Sequence, residues 1–144
     1  MPKSTPTCNS IVNLMYRATA WANVADNAAS SPFTNTYVGL YTAALTAATN
    51  SQTENETAYT NYARQAVARS TGWDAASGGA TANSALIQFP QCGASGATLT
   101  YVATGTAVSG TGTVWHYGAL NASLAVSSGI TPQFAAGALT ITES

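Results

Sequence analysis

The sequence predicts a mostly β protein, an antiparallel β-sandwich of jelly-roll type with an N-terminal helix. Three observations support this prediction. One early stretch, residues 8–24, carries apolar side chains at helical spacing. Beyond Pro32, short runs rich in Thr, Val and aromatic residues alternate apolar and polar positions. Clusters of Gly, Pro, Asn and Ser separate these runs at short intervals, which is typical of all-β sandwiches and barrels.

The helical stretch 8–24 reads CNSIVNLMYRATAWANV. Its apolar residues recur at i, i+3, i+4 and i+7, so they line one face of a helix. Two interpretations remain open for this face: it packs on the body of the protein, or it docks on a partner or a neighbouring copy. The residues on this face are Ile11, Leu14, Met15, Ala18, Trp21 and Ala22.

The alternating runs are predicted to be strands, and two longer polar stretches are predicted to be loops. The glycines between 105 and 112 are expected in a turn between two strands, because they match no phosphate-binding motif. The predicted strands lie in 36–42, 62–70, 84–90, 97–105, 113–121, 123–127 and 137–143, and the predicted loops are 43–61 and 72–83.

A chain of 144 residues fits one domain. The change of pattern at Pro32 predicts an N-terminal arm, residues 1–32, packed on a β-sandwich body, residues 33–144. The C-terminal segment alternates apolar residues with threonines, so Leu139 and Ile141 are expected in the core. Truncation before Gly137 is therefore expected to leave an insoluble chain.

Charge is scarce, since only 6% of the residues are Asp, Glu, Lys or Arg, against about 25% in an ordinary domain. Four fixed cations are too few to bind nucleic acid through its phosphates, so no nucleic-acid partner is expected. No apolar run reaches 18 residues, and no secretory signal is expected. A surface of neutral polar residues lacks charge repulsion between copies, which favours an assembled protein.

The sequence predicts no catalytic, cofactor-binding or metal-binding site. His116, the single histidine, is expected to be a hydrogen-bonded strand residue, because no acid stands near it in sequence. Glu54 and Glu56 are expected in a solvated loop, since the stretch lacks the ligand density of a cation site. An enzyme, for example a glycan hydrolase, is disfavoured because acids are so few. Cys8 and Cys92 are either two buried thiols or a disulfide.

Six residues are candidates for an interface. Arg64 and Arg69 are expected in structural ion pairs, within or between subunits, because arginine is enriched at subunit contacts. Aromatic residues on loops are expected to be exposed and able to stack on sugars, if the protein touches a host. The candidates are Met15, Trp21, Tyr59, Arg64, Arg69 and Trp73.

Four stretches taken in order resemble a family of small virion proteins of tailed bacteriophages, the tail-fibre-like or capsid-decoration proteins. They are YVGLYTAALT (37–46), YTNYARQAVA (59–68), a long segment with a Phe-Pro corner and a YGAL strand (83–120), and VSSGITPQFAAGALTITES (126–144). Their order and spacing carry the resemblance, because none of them is catalytic.

The resemblance implies a non-enzymatic building block of the virion that works as a homo-oligomer. The favoured expectation is a capsid decoration or cement protein, and the alternative is a tail-fibre, head-fibre or collar component that contacts the host surface. The implied partners are copies of itself and the major capsid protein or other virion proteins, with assembly in the host cytoplasm. No cofactor and no membrane partner are implied.

Overall fold

The computed structural model describes residues 3–22, 24–25 and 32–143. Among these residues one helix is followed by eight strands, which confirms a mostly β protein with antiparallel sheets and an N-terminal helix. No helix among the described residues is long and apolar enough to span a membrane. The elements are α1 (Thr5–Arg17), β1 (Asn35–Tyr41), β2 (Gln65–Ala68), β3 (Ala80–Ala82), β4 (Ile87–Gln88), β5 (Ala97–Gly105), β6 (Val114–Val126), β7 (Gln133–Phe134) and β8 (Thr140–Thr142).

The largest sheet has four strands in the order β2-β1-β5-β6. Strand β5 lies between β1 and β6 and is antiparallel to both, so the long β6 forms one edge of the sheet. Two smaller sheets each contain two strands, β3 with β8 and β4 with β7. In the four-stranded sheet, Tyr41 of β1 and Ala103 of β5 form a buried cluster with Leu45. Tyr101 and Val114 pack against this cluster.

The chain divides into two compact units. Unit 1 comprises Met1–Asn35, Val67–Ile87 and Phe134–Ser144, and unit 2 comprises Thr36–Ala66 and Gln88–Gln133. Unit 1 holds α1, β3 and β8, and unit 2 holds β5, β6 and nearly all of β1. The expected division into an arm, residues 1–32, and a body, residues 33–144, stays a prediction.

Helix α1 is shorter than predicted, and it buries a different face. It ends at Arg17 because Ala18 adopts the left-handed conformation, with φ 52° and ψ 28°, and the backbone N–H groups of Ala18 and Thr19 cap the carbonyl of Asn13. The buried face is Cys8, Val12 and Tyr16, while Ile11, Leu14 and Met15 are half-buried. Cys8, Val12 and Tyr16 follow the spacing i, i+4, i+8, so they form a second stripe on the same helix. The structure buries this second stripe, which contains the large Tyr16 ring, in place of the predicted one.

Strands β1 and β5 could be predicted, because they lie where two of the alternating runs are. Two runs that were predicted as separate strands, 113–121 and 123–127, form the single strand β6. Strand β3 lies inside the stretch expected to be a loop, since its Ala-Thr-Ala sequence has little alternation and is ordered by pairing with β8.

The C-terminal segment is a strand, as predicted. Leu139 and Ile141 are each 6% exposed, and Ile141 is paired with Thr81. The fully buried Asn83 fixes this segment, because its Oδ1 accepts a hydrogen bond from the Leu139 N–H at 2.8 Å and its Nδ2 donates to the Ala135 carbonyl at 2.8 Å.

Candidate interaction residues and the buried polar networks

Arg64 forms a buried two-pronged ion pair within the chain. Its Nε donates to Glu56 Oε1 at 2.6 Å and its Nη2 donates to Glu56 Oε2 at 2.7 Å. The side chains are only 2% and 14% exposed. A planar guanidinium matches a carboxylate in this way, and the pairing strengthens both hydrogen bonds. The prediction of a structural ion pair is confirmed for Arg64, and the expectation that Glu56 is a solvated loop residue is wrong.

The same guanidinium also binds the turn between β5 and β6. Its Nη1 donates to the Ala107 carbonyl at 2.9 Å and its Nη2 to the Gly110 carbonyl at 2.8 Å. Burial lowers the pKa of Arg64, but the hydrogen bonds and the charge of Glu56 outweigh burial, so the net shift is upward. The ion pair therefore joins the 43–61 loop to the glycine-rich turn.

Tyr62 ties this network to strand β1. Its hydroxyl donates to Glu56 Oε1 at 2.9 Å and accepts from the Leu40 N–H at 3.0 Å. Burial, with the nearby Glu56 charge, raises the pKa of Tyr62 well above its usual range. Burial likewise raises the pKa of the neighbouring Tyr41 to about 12. The Tyr62 hydroxyl remains protonated at neutral pH and acts as a fixed donor to Glu56.

The 43–61 loop is anchored at a second point by Gln52. This side chain is fully buried, and its Oε1 accepts a hydrogen bond from the Ala107 N–H at 2.8 Å. Its backbone N–H donates to the Thr111 carbonyl at 2.7 Å. Gly112, with φ 42°, lies so close to the Gln52 side chain that a Cβ would collide with it. The loop is therefore packed on the β5–β6 turn.

Arg69 has a different role, since backbone carbonyls accept its hydrogen bonds. Its Nε and Nη2 donate to the carbonyls of Met15 and Leu14 in the last turn of α1, and its Nη1 donates to the Phe33 carbonyl at 2.6 Å. Carbonyls at a helix C-terminus lack partners inside the helix and carry partial negative charge, which suits a cation. Burial lowers the pKa of Arg69. Within the chain this arginine caps the helix, and an ion pair of Arg69 with another subunit stays a prediction.

Tyr59 and Trp73 are buried, so the expectation that they are exposed loop aromatics is wrong. Tyr59 is 2% exposed, and its hydroxyl donates to the Pro90 carbonyl at 2.9 Å. Trp73 is fully buried, and its ring packs edge-on against Tyr16 at 4.9 Å between centroids. Aromatic rings bury a large area, so Tyr59 contributes to the packing of unit 2 and Trp73 to the packing of unit 1.

The other two candidates, Met15 and Trp21, are half-buried. Met15 belongs to the last turn of α1, and the Trp21 backbone pairs with that of Ala25 in an isolated bridge. Both belong to unit 1. A role for any of the six candidates in an interface stays a prediction, but four of them are buried within the chain: Tyr59, Arg64, Arg69 and Trp73.

The groups that could carry chemistry are dispersed. Within residues 3–22, 24–25 and 32–143, no group of three or more His, Cys, Asp and Glu side chains could hold a metal ion. His116 lies in β6, opposite Thr104. Cys8 and Cys92 are buried free thiols in different units. Of the two alternatives, a disulfide or two buried thiols, the structure therefore shows two buried thiols.

Sequence reasoning missed the surface around β6. Seven large apolar side chains are exposed in the described part of the chain, and four of them belong to β6 or to the loops that flank it. A charge count along the sequence could have indicated it, because residues 75–142 contain no Asp, Glu, Lys or Arg. The four side chains are Val108, Tyr117, Leu124 and Ile130.

The comparisons with known proteins support the resemblance. The search of curated proteins found no match. The family model described as "Podophage GP4 fiber I protein gp80" matches residues 2–142, which is nearly the whole chain. This family is one of phage virion structural proteins of the fibre type. The chain therefore belongs to the family of the podophage GP4 fiber I protein gp80.

Proposed function

We propose that this protein is a non-catalytic fibre component of a bacteriophage particle, assembled from several copies of the chain. The observation that carries the proposal is the family match over residues 2–142. Among the alternatives raised by the sequence, this favours the fibre over capsid decoration, for which the family description gives no support. Contacts with other virion proteins, and assembly in the host cytoplasm, belong to the same proposal.

The buried polar networks support a structural role for the charged groups. Glu56 is bound by Arg64 and Tyr62, which occupy both of its carboxylate oxygens. Glu143 pairs with Lys3 at 3.0 Å, and Glu54 accepts from the Thr49 hydroxyl. A general acid or base needs a carboxyl group that can reach a substrate proton. Here the Glu56 carboxylate holds segments of the chain together, while Glu54 and Glu143 each make a single contact nearer the surface.

Gold-labelled antibodies raised against the purified protein would test the proposal on intact particles by electron microscopy. We expect the gold to lie on fibres, and to disappear when the antibody is first absorbed with the protein. Gold spread evenly over the head would support decoration instead. Absence of the chain from purified particles would contradict a virion role of either kind.

A further inference from the structure

The edge strand β6 is long and largely uncovered. It spans 13 residues, from Val114 to Val126, and its hydrogen-bonded neighbour in the sheet is β5. Residues 121–125 are all exposed, although a strand with one face on a core alternates between buried and exposed positions. This stretch therefore presents both faces, as well as its outer edge, to the surroundings.

A bulge sets this stretch apart from the sheet. The pairing passes from Leu99–Leu124 to Tyr101–Ala119, so Thr100 alone stands opposite the four residues 120–123 of β6. Bulges bend a strand and direct side chains away from the regular ladder. The extra residues have extended backbone, and residues 121–123 among them are exposed.

Beyond Val114, whose N–H donates to the Asn50 carbonyl at 3.3 Å, the edge lacks the features that keep single molecules apart. Natural edge strands are usually protected by lysines, prolines, inward-pointing charges or a covering loop. From Val114 to Thr131 the sequence contains no proline and no Asp, Glu, Lys or Arg. None of its side chains carries a fixed charge, so the edge offers no charge repulsion to an identical copy.

The apolar side chains follow the same strand. Tyr117 is 42% exposed and Leu124 is 40% exposed within β6, while Val108 precedes it at 61% and Ile130 follows it at 40%. A stable interface uses about 20–30 residues on each side. The 13 residues of β6 are too few alone, but the strand with its two flanking loops reaches that size.

We propose that β6 pairs antiparallel, edge to edge, with β6 of a second copy, so that two four-stranded sheets become one eight-stranded sheet. A second copy is the occupant that the charges favour, because the edge carries no charge to select a charged partner and the chain's net charge is only −1. The contact is isologous, so each copy contributes the same strand and the same apolar side chains. The proposed pairing rests on the proposed function in one respect, since both require several copies of the chain at the same place.

Sedimentation of the purified full chain would test the pairing. We expect a dimer at micromolar concentration, and a dissociation constant at least about tenfold higher for Leu124→Lys, because a lysine at an edge opposes strand pairing. Leu86→Lys is the matched control, since Leu86 is 52% exposed and lies outside β6, and it should dimerise like the wild type. Circular dichroism should show that both variants remain folded.

Cysteine scanning would test the geometry. Single cysteines at residues 119, 121, 122, 123 and 125 are oxidised mildly, and the dimer is measured on a non-reducing gel. In isologous antiparallel pairing only the residue nearest the two-fold axis meets itself, so cross-linking should show one maximum along the strand. The wild type is the baseline, because Cys8 and Cys92 are buried.

Several results would overturn the inference. They are a monomeric wild type, a Leu124→Lys variant as dimeric as the wild type, or no self-cross-linking at any position. An oligomer that survives Leu124→Lys would overturn the β6 pairing and leave the fibre role standing. Gold labelling off the fibres would contradict that role and leave the dimer measurement unaffected.

Discussion

At the scale of single residues, the few charged groups hold segments of the chain together. Arg64 and Glu56 form a buried pair, and Arg69 binds the carbonyls that end α1. Taking a guanidinium out of water is costly unless its donors are paired. These arginines therefore specify which segments meet, and in this chain charge is used for internal structure.

Glu56→Gln is expected to lower the free energy of unfolding by about 3 kcal/mol, because it leaves the Arg64 charge buried without its counter-charge. Urea unfolding followed by fluorescence measures the change. Glu54→Gln is the control in the same loop. Glu54 is exposed, so the effect there should stay within about 0.5 kcal/mol. Equal effects of the two substitutions would show that the ion pair contributes little.

At the scale of elements, hydrogen bonds from other segments hold helix α1 in place. Helix α1 ends at a left-handed alanine and is capped by Arg69. Its Asn9 and Asn13 side chains accept hydrogen bonds from the N–H groups of Gly79 and Ala76, so the loop after Trp73 is tied to the helix. Helix capping and side-chain hydrogen bonds therefore connect α1 to the other segments of unit 1.

Ala18→Gly is expected to raise the free energy of unfolding by about 0.5–1 kcal/mol, because φ 52° strains a residue with a Cβ but not glycine. Ala58→Gly is the comparison. Ala58 is exposed and has negative φ, so glycine there should be neutral or slightly destabilising. Thermal unfolding of both variants checks the difference. A fall in stability for Ala18→Gly would argue against the left-handed helix end.

Truncation after Ala136 is expected to leave an insoluble chain, because it removes β8, the partner of β3, and the buried Leu139 and Ile141. It also leaves the buried Asn83 Oδ1 without the Leu139 N–H. Solubility after expression and the melting temperature are the measurements. Removing only residues 143–144 should preserve a soluble chain. A soluble truncated protein with an unchanged melting temperature would contradict the role of β8.

The fold could be predicted where local pattern decides structure. Alternation in 97–105 gives β5 and alternation near the C-terminus gives β8, because a half-buried strand repeats every two residues. Strand β3 could not be predicted, since its order depends on β8, which lies about 60 residues away. The burial of Tyr59 and Trp73 depends on contacts that are distant in sequence, such as that with Pro90.

At the scale of the whole molecule, the chain belongs to a family of phage fibre proteins, and its surface fits assembly by neutral contacts. The charge-free segment 75–142 includes β6 and most of the exposed large apolar side chains. Such a surface does not repel identical copies, and a fibre repeats identical copies. The molecule's function is therefore expected to depend on fit between neighbours.

A reconstruction of the intact particle by electron cryo-microscopy, with this chain traced in the map, tests the central claim most directly. We expect the chain in a fibre, in several copies that touch one another, with β6 at a contact between two of them. A chain found as isolated copies, or spread over the capsid lattice, would contradict the account.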